Sequence, residues 1–152
     1  MKSFLARVWK LLNMPKGIQL FFMRFFQNQF LVGVTGIIFN NKNEILLFKH
    51  TYRQHSWSLP GGYMKSGEHP AEALEREIKE ESGLVVSVDK SFKTRTDRTS
   101  SRLDLCYTGI LIGGEFIKSE EVSEYGFFSQ DKMPLLRSNQ VFLIEEALQQ
   151  KS

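Results

Sequence analysis

Glu77, Glu80 and Glu81 stand at i, i+3 and i+4, a spacing that puts three carboxylates on one side of a helix within one turn. Like charges so placed repel, and helices usually avoid the arrangement. A hard divalent cation relieves the repulsion, because Mg²⁺ or Mn²⁺ prefers oxygen ligands and commonly shares them with a phosphate. The three acids close a run reading GYMKSGEHPAEALEREIKEESGL, from Gly62 to Leu84, in which a glycine loop precedes the helix.

The helix has its own signals. Pro70 suits the first helical position, Glu72 sits near the positive end of the helix dipole, and Gly83 follows the last turn as a residue able to take positive φ. Ala71, Leu74 and Ile78 recur at helical spacing and predict a buried stripe beside the acids. Ahead of it, Leu59-Pro60-Gly61-Gly62 ends a short apolar strand in a turn whose glycines let backbone approach a ligand or metal.

The segment resembles the Nudix box, G-x5-E-x7-R-E-U-x-E-E-x-G-U with U aliphatic. Gly62, Glu68, Arg76, Glu77, Ile78, Glu80, Glu81, Gly83 and Leu84 fill every specified position. His69 departs from the small hydroxyl residue that many members carry there, which predicts a weaker helix cap. The resemblance spans about residues 30–150 and implies an α/β/α sandwich with a mixed sheet. It also implies Mg²⁺-dependent (or Mn²⁺-dependent) hydrolysis of a diphosphate linkage in a nucleoside diphosphate derivative. By the same resemblance Glu77, Glu80 and Glu81 are metal ligands and the Gly61 carbonyl adds a backbone oxygen. Glu68 then supports these ligands from behind, and Arg76 orients the acids. A Nudix-fold nucleotide-binding regulator without catalysis is the alternative, and a membrane-surface adaptor is another. The intact set of Arg76, Glu77, Glu80 and Glu81 argues against a pure binder.

A general base can lie in the box or in a later loop. Metal-committed carboxylates are poor proton acceptors, and the acidic loop 120–124 precedes the last expected strand, so Glu121 is the candidate. For substrate contact, Arg53 and Trp57 lie before the box, while Arg95, Arg98 and Arg102 cluster around a hairpin tip, where they could clamp phosphates or stack on a base. The stretch 97–102 carries neither the proline nor the tyrosine that marks some ADP-ribose and dinucleoside polyphosphate hydrolases.

Composition agrees with one domain. The chain has 152 residues, 41% of them hydrophobic, enough for a real core. Its single cysteine, Cys106, excludes a disulfide framework within the chain and sits in an apolar run that predicts a buried strand thiol. His50, His55 and His69 show no zinc spacing. No DNA-binding motif is present, and the domain itself is slightly acidic.

The positive charge belongs to the N-terminal end. Residues 1–29 hold five basic residues and no acid, and read as two short amphipathic helices around Pro15-Lys16-Gly17. Their aromatic faces leave three readings open: packing on the domain's own sheet, a homodimer contact, or a contact with a membrane surface. No apolar run approaches the roughly 20 residues of a membrane span. The reading is therefore an extension over 1–29, a Nudix domain over 30–152, and a cytoplasmic protein with a peripheral membrane contact left open. From Phe30 the pattern predicts strands at 30–39, 44–49, 56–59, 85–94, 103–112 and 125–128, a turn into 115–118, and a closing helix from Ser138 with Val141, Ile144, Ala147 and Leu148 buried.

Overall fold

A computed structural model describes residues 15–52, 56–97 and 100–151. Arg53, Arg98 and the first of the two expected N-terminal helices lie outside the described residues. The chain divides into two compact units, residues 1–30 and 31–152. In the first, helix α1 covers Lys16–Phe26 after Pro15, where the Ile18 N–H donates to the Pro15 carbonyl at 3.0 Å. Its rings pack edge to face along the chain, Phe21 on Phe22 and Phe25 on Phe26. No described helix is long and apolar enough to cross a membrane.

The second unit is built on seven strands: β1 (Leu31–Phe39), β2 (Ile45–His50), β3 (Trp57–Ser58), β4 (Gly61–Tyr63), β5 (Leu84–Asp97), β6 (Arg102–Gly114) and β7 (Val122–Phe128). Helix α2 covers Pro70–Ser82 and α3 covers Ser138–Lys151. The sheet is mixed. β1 runs parallel to β6 over its whole length, whereas β2 pairs antiparallel with β7 and β3, and β5 antiparallel with β6. The short β4 pairs antiparallel with β1, setting Gly61 opposite Thr35 and Tyr63 opposite Gly33.

Alternation along the central strands sorts the core into two layers. Val34 and Ile38 of β1 and Leu46 and Phe48 of β2 pack with Ala73, Leu74 and Ile78 of α2. The intervening Ile37, Phe39, Ile45 and Leu47 pack with Leu143, Ile144 and Ala147 of α3. Strands buried on both faces read as continuous apolar runs, which is how 30–39 and 45–50 appear in the sequence. The expected sandwich with a mixed sheet is the one observed.

Several local expectations shift. On α2 the buried alanine is Ala73, with Ala71 only half-buried, because the stripe facing β1 and β2 runs through 73, 74 and 78. On α3 Leu143 is buried and Val141 exposed, since the helix turns that side toward β1 and β2. Strands β5 and β6 extend beyond the expected 85–94 and 103–112 and form one long hairpin, because parallel pairing of β1 from Leu31 onward holds β6 in extended form from Arg102. Residues 115–119 form no strand; they are held to the end of α2 by the Ile117 N–H donating to the Ser82 carbonyl at 2.8 Å.

Candidate active site

Helix α2 starts and stops as its sequence dictates. Pro70 is in the first turn, and the Glu72 carboxylate accepts a hydrogen bond from the His69 N–H at 3.1 Å, so a cap forms without a hydroxyl residue. Gly83 ends the helix in the left-handed region at φ 74°, with its N–H on the Lys79 carbonyl. A Cβ at Gly83 would collide with the Glu115 carbonyl oxygen, so space as well as φ demands glycine. Burying Leu74 and Ile78 under the sheet then turns Glu68, Arg76, Glu77 and Glu80 toward one another.

Arg76 is the centre of that group. Its Nε donates to Glu68 Oε1 at 2.5 Å and its Nη2 to Glu68 Oε2 at 3.1 Å, a two-pronged pair. Nη1 is shared between Glu77 Oε1 at 2.8 Å and Glu80 Oε2 at 2.9 Å, and Nη2 also reaches the Tyr63 carbonyl at 3.1 Å. One guanidinium therefore positions three carboxylates and the end of β4. Hydrogen bonding to Arg76 holds the Glu68 and Glu80 carboxyls below their usual range, and the Glu68 bond raises the Arg76 pKa in turn. Glu68 also accepts from the Lys65 N–H at 2.8 Å, which fixes the loop ahead of the helix.

Gly62 lets Glu77 take its place. A Cβ on Gly62 would collide with the Glu77 carboxyl group, so the strand passes the acid with no room to spare. Gly61 is as tightly placed, since a Cβ there would meet the Val34 carbonyl of β1. The Oε2 atom of Glu81 is shielded from solvent.

Among the described residues, no three acidic, histidine or cysteine side chains converge to hold a metal ion in this arrangement. The reason is visible in the same contacts: Glu77 and Glu80 each turn an oxygen to Arg76. The donor set nevertheless suits a hard cation. It is all oxygen, with Glu77 Oε2 beside the glycine strand and Glu80 half exposed and tied only to side-chain cations.

β4 separates this acidic group from a cleft of about 760 Å³. Thr35, Gly61, Tyr63, Arg95, Arg102 and Arg137 are among the residues that line it. Asp104, 7% exposed, is the cleft's anchor. Its oxygens accept from Thr35 Oγ1 at 2.9 and 3.1 Å, from Arg95 Nη2 at 2.5 Å and from Arg102 Nη2 at 3.2 Å. Burial opposes its ionisation, but Arg95, Thr35 and Arg102 together outweigh burial and hold the carboxyl below its usual range. The neighbouring Cys106 is fully buried, and burial, reinforced by Asp104, pushes its thiol up to about 12. It is a core residue, as its setting in the sequence predicts.

The other expected residues fall as follows. Arg95 and Arg102 line the cleft, with Arg95 Nη1 spent on the Asn139 carbonyl at 3.1 Å. Trp57 does not line it; the ring packs edge to face on Phe128, 5.0 Å between centroids, beside the core layer under α3. Glu121 stands at the head of β7, where its backbone carbonyl accepts from the Thr51 N–H at 3.1 Å and its Oε2 from the Tyr52 hydroxyl at 3.4 Å. Tyr52 in turn lines the cleft. Tyr63, Asp104 and Arg137 are cleft residues that the sequence did not single out. A signal for Asp104 was present: an acid in an apolar strand run needs a cation partner, and Arg102 stands two residues before it.

An arginine-ordered acid helix beside a glycine strand and a polar cleft suits chemistry on a phosphoanhydride, whose charge a cation on the acids would offset. Residues 29–147 match the NUDIX domain, and the chain belongs to that family as a Nudix pyrophosphohydrolase. It is 31% identical over 127 residues to the ADP-ribose pyrophosphatase of Methanocaldococcus jannaschii, a match covering 80% of this chain and 75% of that protein. The crystal structure of an ADP-ribose pyrophosphatase from Streptococcus suis superposes with a TM-score of 0.66 at 28% identity, covering 79% of this chain and 92% of that one. A UDP-X diphosphatase structure gives a TM-score of 0.71 at 20% identity, over 99% of this chain and 81% of that chain, a likeness of fold. Two further curated relatives are matched over only 27% and 22% of their lengths. Nudix hydrolases generally use a divalent metal ion.

Proposed function

We propose that the protein hydrolyses the diphosphate linkage of a nucleoside diphosphate derivative, with Mg²⁺ or Mn²⁺ held by Glu77, Glu80, Glu81 and the Gly61 carbonyl. The observation that carries this reading is the Arg76-centred set of box carboxylates, tied through the Tyr63 carbonyl to the β4 strand that lines a cleft of about 760 Å³. Bound there, the cation supplies charge neutralisation for the diphosphate oxygens and acidifies water. Glu68 and Arg76 keep the ligands in place, because an arginine fork fixes carboxylate direction.

Glu121 takes the proton from the attacking water. Its hydrogen bond from Tyr52, a cleft residue, favours this assignment over Glu77 and Glu80, each of which turns one oxygen to Arg76 and is assigned to the cation. Attack at phosphorus breaks the phosphoanhydride bond and gives two phosphorylated products.

ADP-ribose heads the substrate candidates because relatives at 31% and 28% identity carry that activity in their names. The loop 97–102 lacks the proline associated with some such enzymes, so nucleotide sugars, dinucleotides and triphosphates stay in the panel. Product release from that panel, with each metal and with chelator, tests the proposal. Absence of metal-dependent turnover on every member would remove it.

A further inference from the structure

The cleft's arginines are the residues expected to clamp phosphate, yet their hydrogen bonds point elsewhere. Arg95 gives Nη2 to Asp104 and Nη1 to the Asn139 carbonyl. Arg102 gives Nη2 to Asp104, and its Nε is buried with no hydrogen-bond partner. Asp104 also offsets part of the positive charge. Beyond its bond to Asp104, the planar guanidinium of Arg102 lies over the Tyr63 ring.

Strand register explains how that contact is made. Arg95, Asp104, Gly33 and Tyr63 form one row across β5, β6, β1 and β4, all on the face toward the cleft. Glycine at the centre of the row leaves a gap, and the Arg102 guanidinium fills it; a Cβ on Gly33 would collide with that group. From there the guanidinium packs over the Tyr63 ring, 4.9 Å from its centroid. Tyr63 is 50% exposed and lines the cleft, and its backbone carbonyl is held by Arg76 of the acid cluster.

We infer that Tyr63 and Arg102 together form a stacking surface for the nucleobase of the substrate, and that Asp104 and Gly33 are the residues that hold it flat. This inference rests on the proposed nucleotide substrate and names what recognises its base. Planar heterocycles stack well on aromatic rings and on guanidinium planes, and neither contact competes with the in-plane bond that Arg102 makes to Asp104. The Arg76 bond to the Tyr63 carbonyl ties the base-binding ring directly to the residue that orders the acids, so a stacked base sets the distance from its diphosphate to those acids.

The test uses the full chain and ligands that are not hydrolysed. AMP, GMP, CMP, UMP and ribose 5-phosphate are titrated by ligand-observed NMR against the parent protein, Tyr63→Phe, Tyr63→Leu, Arg102→Lys and Gly33→Ala. The parent should bind at least one nucleotide about tenfold more tightly than ribose 5-phosphate, on the scale of one base–aromatic stack. Tyr63→Phe should keep that ratio, and Tyr63→Leu, Arg102→Lys and Gly33→Ala should each reduce it severalfold. Equal binding of ribose 5-phosphate and every nucleotide by the parent overturns the inference. So does an Arg102→Lys variant that weakens all five ligands alike, the result a phosphate clamp would give. If Tyr63→Leu does not fold, the Arg102→Lys and Gly33→Ala ratios decide. A hydrolysis panel that fails while the base-dependent ratio stands would remove the proposed activity and leave the stacking surface.

Discussion

Arg76 and Glu68, eight residues apart, meet through two hydrogen bonds, Nε to Oε1 at 2.5 Å and Nη2 to Oε2 at 3.1 Å. The pair closes the loop between β4 and α2 against the helix, so the glycine strand and the acids are held as one piece. The remaining contacts of Arg76, to Glu77, Glu80 and the Tyr63 carbonyl, then follow from the direction this pairing gives the guanidinium. Both side chains are about one-fifth exposed, a setting in which the pairing is less screened than at an open surface.

Replacing Glu80 or Glu81 by glutamine keeps size and helix propensity while removing charge. Each variant should stay folded, with activity down about 10²-fold or more, the scale of losing a principal charge-stabilising group. Circular dichroism checks the fold, and turnover against Mg²⁺ concentration checks the role. Unchanged turnover in both variants would contradict metal binding at these positions.

Glu121→Gln is expected to lower kcat with little change in the metal concentration needed for half-maximal rate, because the residue is assigned to the proton and not to the cation. Activity retained in Glu121→Gln but lost in Glu124→Gln would move the base to Glu124. Activity retained in both would return the base to the box, with Glu77 or Glu68 next.

Asp104 makes folding stability depend on acid pH. Its folded carboxyl lies below the ordinary value of 3.8, so its contribution is complete above about pH 4 and is lost as the pH falls toward the folded value. Asp104→Asn leaves Arg95 and Arg102 without their buried anion and should cost on the order of 3 kcal/mol at pH 7. The gap between parent and variant should narrow below pH 4. Chemical denaturation at pH 7 and pH 3 measures both gaps, and equal values would contradict this origin of the stability.

Deleting residues 1–29 should leave a folded, active catalytic unit, since the chain divides at Phe30 into separate compact units. Circular dichroism, size exclusion and turnover of the truncated chain check this. Loss of the folded state would instead assign the aromatic faces of the N-terminal segment to the core of the domain.

The box was legible in the sequence because its chemistry is local. Helical spacing alone brings Arg76, Glu77 and Glu80 to one side, the caps at Pro70 and Gly83 are local as well, and the β-rich runs at 30–39 and 44–49 read as strands. The cleft was not legible, because it is assembled by strand register between segments about 70 residues apart. Nothing near Asp104 in the chain says that Thr35 will donate to it, or that Gly33 will leave the gap that Arg102 fills. Its place before the box put Trp57 among the candidate substrate residues, and β3 turns the ring onto Phe128 under α3. Residue type and helical spacing therefore put the acids on one face, and the motif they complete carried the resemblance that implied the reaction class. Only the pairing of β1 with β4 and β6 decided which side chains line the cleft, because register sets which residues share a face and no periodicity within one strand carries that information.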